Sequence, residues 1–206
     1  NTILFDTGDN GSILLDNMKK LSINPKKVDT VFLSHYHHDH TGGLKDFLKI
    51  NSNIKIYYPQ SFPNEVLDIF INSGSNNIPV SDFMEILPGI YSLGEIHGKI
   101  PEQSMAIHTR KGLIIITGCA HPGIVNIIDK VKSHFPNEKI YLALGGFHLH
   151  RMEDVEIKKV ICKLFESNIQ KVAPTHCTGN LARKYFNDVF SGNYIILGTG
   201  KRIKCD

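Results

Sequence analysis

Apolar positions along this chain alternate between strand-like runs and helix-like spacing, and the alternation is regular enough to predict an element order. The opening Asn1-Thr2-Ile3-Leu4-Phe5 reads as a strand already belonging to a sheet. Ile13, Leu14, Leu15, Met18 and Leu21 then recur at helical spacing, which predicts a helix over 11–21 capped by Asn10 or Ser12. The β-branched run from Val28 to Ser34 predicts a strand whose end delivers the chain into His35-Tyr36-His37-His38-Asp39-His40, a strand-to-helix loop. Thr41-Gly42-Gly43 opens a helix from Leu44 to Ile50, and Ile54 to Tyr58 is the next strand. Residues 59–82 are rich in Pro, Asn, Ser and Gly and carry one helix between Asn64 and Ile71. They read as a variable insert, and residues 59–103 are expected to supply pocket walls.

From Phe83 to Thr117 the signals are strands. The clearest are Ser104–Arg110 and Leu113–Thr117, joined by a short hairpin turn at Lys111-Gly112. Pro122 at a first helical position starts a helix whose inner side carries Ile124, Val125, Ile127, Ile128 and Val131. The rest predicts a strand over Lys139–Gly145, a helix over Asp154–Ser167, a strand over Lys171–Ala173 and a helix over Leu181–Phe190. Two last strands follow at Tyr194–Leu197 and Arg202–Lys204. This order argues for an α/β layered architecture, and the lack of a linker or repeat predicts a single domain over residues 1–206.

Composition narrows the function. With 206 residues, 41% hydrophobic and 21% charged, the chain can bury a sizeable core and is not of a disordered type. Its 23 Lys plus Arg face 20 Asp plus Glu, and the basic residues come as scattered doublets such as Lys19-Lys20 and Lys158-Lys159. No basic tract points to nucleic acid or to a membrane. Four cysteines without paired spacing, Cys119, Cys162, Cys177 and Cys205, fit reduced thiols in a cytoplasmic protein. The outlier is histidine: there are 11, several of them in one short window.

His35-x-His37-x-Asp39-His40 packs imidazoles and a carboxylate into one loop, a ligand set suited to zinc and similar divalent ions. Further ligands are expected just past strand ends, where an α/β sheet presents its binding edge. His121, His148 and His176 stand there, the first two beside Gly118, Gly145 and Gly146, which let the backbone approach closely.

With these residues in place the sequence resembles the metallo-β-lactamase superfamily, whose H-x-H-x-D-H pattern is followed by single ligands at later strand ends. Leu4-Phe5-Asp6-Thr7-Gly8 resembles its strand-ending Asp motif. Thr117-Gly118-Cys119-Ala120-His121-Pro122, Gly145-Gly146-Phe147-His148 and Pro174-Thr175-His176-Cys177 are similar to a narrower branch. That branch comprises dihydropterin ribofuranosylaminobenzene 5'-phosphate synthase-like metal-dependent hydrolases. The resemblance implies an αββα sandwich with metals at one edge, one or two per chain, zinc first and iron or manganese as alternatives. His35, His37 and His121 would hold one ion; Asp39, His40 and His176 would hold the other. Asp39 would also act catalytically by orienting a metal-activated hydroxide.

Two features depart from the family pattern. His148 stands where a bridging Asp is expected, which suits it to bind one metal rather than to bridge two. The strands that usually precede Leu4-Phe5-Asp6 are not in this sequence, so the first N-terminal strands are expected to be lacking, or a homo-oligomer or partner chain completes the first sheet. Asp6 fits either a hydrogen bond that sets a ligand imidazole's tautomer or a plain turn role. His38 has the wrong parity for a ligand and faces solvent or substrate. His97, His108, His134 and His150 are assigned to surface or core, and Thr178-Gly179-Asn180 is an ordinary helix cap. Cys119 and Cys177 read as structural despite their ligand neighbours.

The activity so implied is metal-assisted hydrolysis or group transfer on a small phosphorylated or pterin-like metabolite. The alternatives are a nuclease or phosphodiesterase of the same superfamily, for which a basic face is missing, and a non-catalytic metal-binding module. A diiron oxygen-reducing relative would carry a carboxylate where His37 stands.

Overall fold

A computed structural model describes residues 1–205. The chain divides into two compact units, one over Asn1–Ser81 and one beginning at Asp82.

The first unit is built on a four-stranded sheet in the order β1 (Ile3–Phe5), β2 (Thr30–Phe32), β3 (Lys55–Pro59) and β4 (Asn76–Val80), all neighbours parallel. Helix α1 (Gly11–Lys20) starts as expected at Asn10, whose Oδ1 accepts the N–H groups of Ser12 and Ile13 at 2.9 and 3.2 Å. Met18 of α1 packs with Val31, Leu33, Ile56, Leu44 and Phe47, burying one face of the sheet. Two short helices, α2 (His38–Thr41) and α3 (Leu44–Leu48), follow β2. A third, α4 (Asn64–Leu67), is shorter than the sequence suggests. The insert expected over 59–82 contains a strand of the sheet. Asn76-Asn77-Ile78-Pro79-Val80 has poor intrinsic strand preference, and its pairing with β3 overrides that. Pro79, which lacks an N–H, is tolerated because β4 is the outer strand.

The second unit holds a six-stranded mixed sheet in the order β10-β9-β8-β7-β6-β5. Its strands are β5 (Met84–Leu87), β6 (Ile90–Ile96), β7 (Glu102–Thr109), β8 (Gly112–Thr117), β9 (Ile140–Gly146) and β10 (Lys171–Thr175). The first three neighbour pairs in chain order are antiparallel, and β8-β9 and β9-β10 are parallel. Helices α5 (Ile124–His134), α6 (Asp154–Glu166) and α7 (Asn180–Val189) bury Ile127, Ile128, Ile161, Leu164 and Phe186 against Leu113, Ile115, Ala143 and Val172. Helix α5 begins at Ile124 rather than Pro122, because Gly123 donates to the Ala120 carbonyl at 2.9 Å and closes a turn there with φ 96°.

Two expectations about strands fail here. The hairpin loop is Arg110-Lys111, since Thr109 pairs Gly112. Gly112 instead lies where a Cβ would meet the Lys139 carbonyl oxygen at 2.5 Å, so its lack of a side chain serves strand packing. Tyr194–Leu197 and Arg202–Lys204 do not form strands. Tyr194 makes one isolated bridge to Val172, flanked by the Ile195 N–H donating to the Val172 carbonyl at 2.8 Å and the Val172 N–H donating to the Asn193 carbonyl at 3.0 Å, while Ile195, Leu197 and Ile203 cover Ile114, Leu142 and Ala173. No helix among the described residues is long and apolar enough to cross a membrane.

Candidate metal centre

The first unit gathers His35, His37, Asp39 and His40 behind β2. The loop is held by the segment after β1: Thr7 N–H and Oγ1 both donate to the His40 carbonyl, at 2.8 and 3.0 Å. Gly43 makes this approach possible, because a Cβ there would lie 2.2 Å from the Thr7 carbonyl oxygen.

Hydrogen bonds then set the tautomers. Asp6 accepts from the Ser34 N–H and the Ser34 hydroxyl, each at 2.7 Å, and sits 2.6 Å from Nδ1 of His40. The single Ser34 proton goes to Asp6, so at 3.0 Å from Nδ1 of His35 that hydroxyl can only accept. Both imidazoles therefore carry Nδ1–H, which leaves Nε2 of His35 and of His40 with the lone pair a metal needs. Nε2 of His35 lies 3.2 Å from Nδ1 of His37, and Nε2 of His40 lies 3.5 Å from a carboxylate oxygen of Asp39. His35 is wholly buried, while Asp39 is exposed. Burial holds the His37 imidazole below its ordinary pKa, with Asp39 opposing and His40 reinforcing the shift. His37 is thus neutral, the ligating form, near neutral pH. His38 points to solvent near Asp9, as its parity suggested.

In the second unit the candidate residues leave three different strand ends. His121 follows β8, His148 follows β9, and His176 opens a 3-10 turn, His176–Thr178, after β10. The rings of His121 and His148 lie 4.3 Å apart, centroid to centroid. Ligand atoms of Cys119, His148 and Cys177 all fall within 4.8 Å of one another. The two cysteines read as structural are therefore placed to offer sulfur beside His148. A hydrogen bond with the Cys119 side chain lowers the Cys177 thiol pKa, against the effect of burial.

These loops adopt unfavourable backbone conformations. Ala120, His148 and His176 have φ of 61°, 50° and 50°, as Asp6 does at 57° in the first unit. Gly145 and Gly146 serve the strand ends rather than a metal: a Cβ on Gly145 would meet the Thr117 carbonyl oxygen at 2.1 Å. One on Gly146 would meet the Gly118 carbonyl oxygen at 2.4 Å and Sγ of Cys177 at 2.7 Å. The Thr178 hydroxyl accepts from the Phe147 N–H at 3.1 Å and donates to the Thr175 carbonyl, docking the 3-10 turn on β9. His150, assigned to surface or core, is exposed and sits with Nδ1 2.9 Å from the Cys177 carbonyl and its ring 5.2 Å from that of His148.

The residue that the sequence reading missed is Glu102. Wholly buried, it accepts from the N–H groups of Gly118, Cys119 and Ala120 on Oε1, at 3.1, 3.0 and 2.9 Å, and from His121 on Oε2 at 2.8 Å. One carboxylate thereby satisfies the four consecutive main-chain donors of residues 118–121. The only sequence signal was an acidic residue opening a buried strand segment, Glu102-Gln103-Ser104.

A cavity of about 240 Å³ adjoins His121 and His148. Its described walls come from residues 120–163.

A family model described as the metallo-beta-lactamase superfamily matches residues 1–123. The chain is 35% identical to a 7,8-dihydropterin-6-methyl-4-(β-D-ribofuranosyl)-aminobenzene-5'-phosphate synthase of Methanocaldococcus jannaschii, over 98% of this chain and 84% of that protein. The crystal structure of a metal-dependent hydrolase of the beta-lactamase superfamily matches with a TM-score of 0.81 and 29% identity, covering 100% of this chain and 90% of that one. The metallo-beta-lactamase fold protein YhfI from Bacillus subtilis has a TM-score of 0.68 at 19% identity, covering 97% of this chain and 85% of that chain, a likeness of fold alone. Motif, fold and these similarities agree: the chain belongs to the metallo-β-lactamase superfamily.

Proposed function

We propose that this protein is a metal-dependent hydrolase or transferase acting on a small phosphorylated, pterin-like metabolite. The metal ligands we assign are His35, His37, Asp39 and His40 of the first unit and His121, His148 and His176 of the second. The carrying observation is the Asp6-Ser34 network, which places the proton on Nδ1 of two imidazoles so that Nε2 carries the lone pair on each. Such second partners are typical of built metal sites and have no purpose in a solvated histidine loop.

The donor chemistry fits zinc, one or two ions per chain. Sulfur from Cys119 and Cys177 beside His148 favours a thiophilic ion over magnesium or manganese. When bound, such an ion acts as a Lewis acid toward the substrate and makes water a competent nucleophile near neutral pH. The chain's own residues do the rest. Asp39, exposed beside His40, is placed to accept a proton from the attacking group and to orient it. Buried His35 and His40 stay in one tautomer because Asp6 and Ser34 hold them.

The substrate class rests on the methanogen relative, whose name describes a dihydropterin joined to a ribofuranosyl-aminobenzene phosphate. We place the enzyme in the cytoplasm, because four cysteines with no disulfide among the described residues suit a reducing compartment.

The test is metal content of protein purified without chelator, together with turnover on dihydropterin and aryl-ribosyl phosphates and on generic phosphoesters. About two ions in the wild type, falling in His35→Ala and His148→Ala, with turnover lost in step, is the expected result. No metal after reconstitution would overturn the reading.

A further inference from the structure

The cavity beside His121 and His148 has two chemically distinct walls. Ile124, Phe147 and Leu149 make it apolar, while Lys159 and Lys163 of α6 supply cations. These lysines stand four residues apart, so they share one face of the helix. Neither has a carboxylate partner among the described residues, whereas their neighbour Lys158 is tied to Asp154 at 2.6 Å and does not line the cavity. Two lysines one helical turn apart, lining a largely apolar pocket and without a carboxylate partner among the described residues, match a phosphate carried on an apolar body. The volume is below the roughly 300–1,000 Å³ of drug-sized pockets, so it suits a single ring system rather than an extended ligand.

We propose that this cavity binds an aromatic phosphate monoester, with the ring on the apolar wall, the phosphate against Lys159 and Lys163, and the far end of the ring toward His121 and His148. The proposal deepens the reading of a phosphorylated metabolite as substrate and rests on it. It also assigns the phosphate a part: helix α6 holds it as a handle, while the histidine loops face the bond that reacts. The phosphate is then kept in the product, which separates a transferase or hydrolase acting on the ring end from a phosphatase.

The test uses the full chain, metal-loaded and after chelation, with two fluorescent probes: 1-naphthylmethylphosphonate, a non-hydrolysable analogue of a phosphate monoester used at a pH where it is doubly ionised, and 1-naphthylmethanol. Wild-type protein should prefer the phosphonate by about tenfold or more in both metal states. In the Lys159→Gln/Lys163→Gln double variant the two probes should bind about equally, with affinity for the alcohol unchanged, and Lys158→Gln should keep the full preference. Both substituted lysines are exposed, so the fold should not suffer. A preference that survives the double variant, or that disappears on chelation, would overturn the proposal, because the phosphonate would then be held elsewhere. A protein that takes up no metal yet shows the lysine-dependent preference would refute the metal-centre reading and uphold this one.

Discussion

The two units hold their histidines by opposite means. In the first, four of the assigned ligands lie within six residues, and side chains do the positioning: Asp6 and Ser34 reach the imidazole rings themselves. In the second, the ligands come from three loops, and a buried carboxylate and glycines position the main chain. Damage should therefore read out differently. A fault in the first unit should change metal affinity with little cost in stability, and a fault in the second should change stability first.

The largest effect should come from Glu102→Ala, which strands the N–H groups of residues 118–121 in a buried loop. Chemical denaturation should show a loss of about 3 kcal/mol or more, and Glu102→Gln should lose less because one oxygen still accepts. A loss below about 1 kcal/mol would mean that the loop has another anchor, and the contrast between the units would collapse.

Gly145→Ala should come next. Its φ of 122° and the Thr117 oxygen 2.1 Å from a new Cβ make the residue unable to take a side chain without moving β8. A destabilisation of about 2–3 kcal/mol is expected from strain and displacement together, read as a lower midpoint in thermal unfolding. Unchanged stability would show that the strand ends are pliable.

The smallest stability effect, and the sharpest test of the contrast, is Asp6→Asn. The amide puts a donor where Ser34 and His40 need an acceptor, so the imidazoles lose their fixed tautomers. Competition against a chelator should show metal affinity reduced by about 10- to 100-fold, with the unfolding midpoint nearly unmoved. Equal losses of stability and affinity would contradict the division of labour.

Legibility followed the same boundary. The His35–His40 cluster could be read directly, because its members are neighbours in sequence, while the Asp6 motif was recognisable but its role stayed open between a bond to a ligand imidazole and a turn until its partners Ser34 and His40 were seen. His121, His148 and His176 were legible as strand-end residues, but Cys119 and Cys177 were set aside as structural although they come together with His148. Glu102 was invisible for a related reason. Extending the observed β7-β8 register, in which Met105 faces Ile116, brings Glu102 opposite Cys119. With Lys111-Gly112 as the two loop residues, Arg110 would instead face Leu113 and Glu102 would face position 121. Either register brings Glu102 to the loop of residues 118–121, but the strand was read only from Ser104 onward, so the carboxylate one pleat earlier was never carried to that loop. Strand β4 and the absent C-terminal strands show the same limit, since pairing with a neighbour and not composition decided both.

By itself, then, the sequence determined the superfamily, the α/β class, the element order and the ligand-rich loop, because each is written in local spacing or hydrophobic period. Tertiary structure alone decided which tautomers the imidazoles adopt, which carboxylate holds the second loop, that two thiols converge on His148, and that two lysines of α6 border an apolar cavity. Those depend on strand register and on contacts between residues far apart in the chain, to which one-dimensional periodicity is blind.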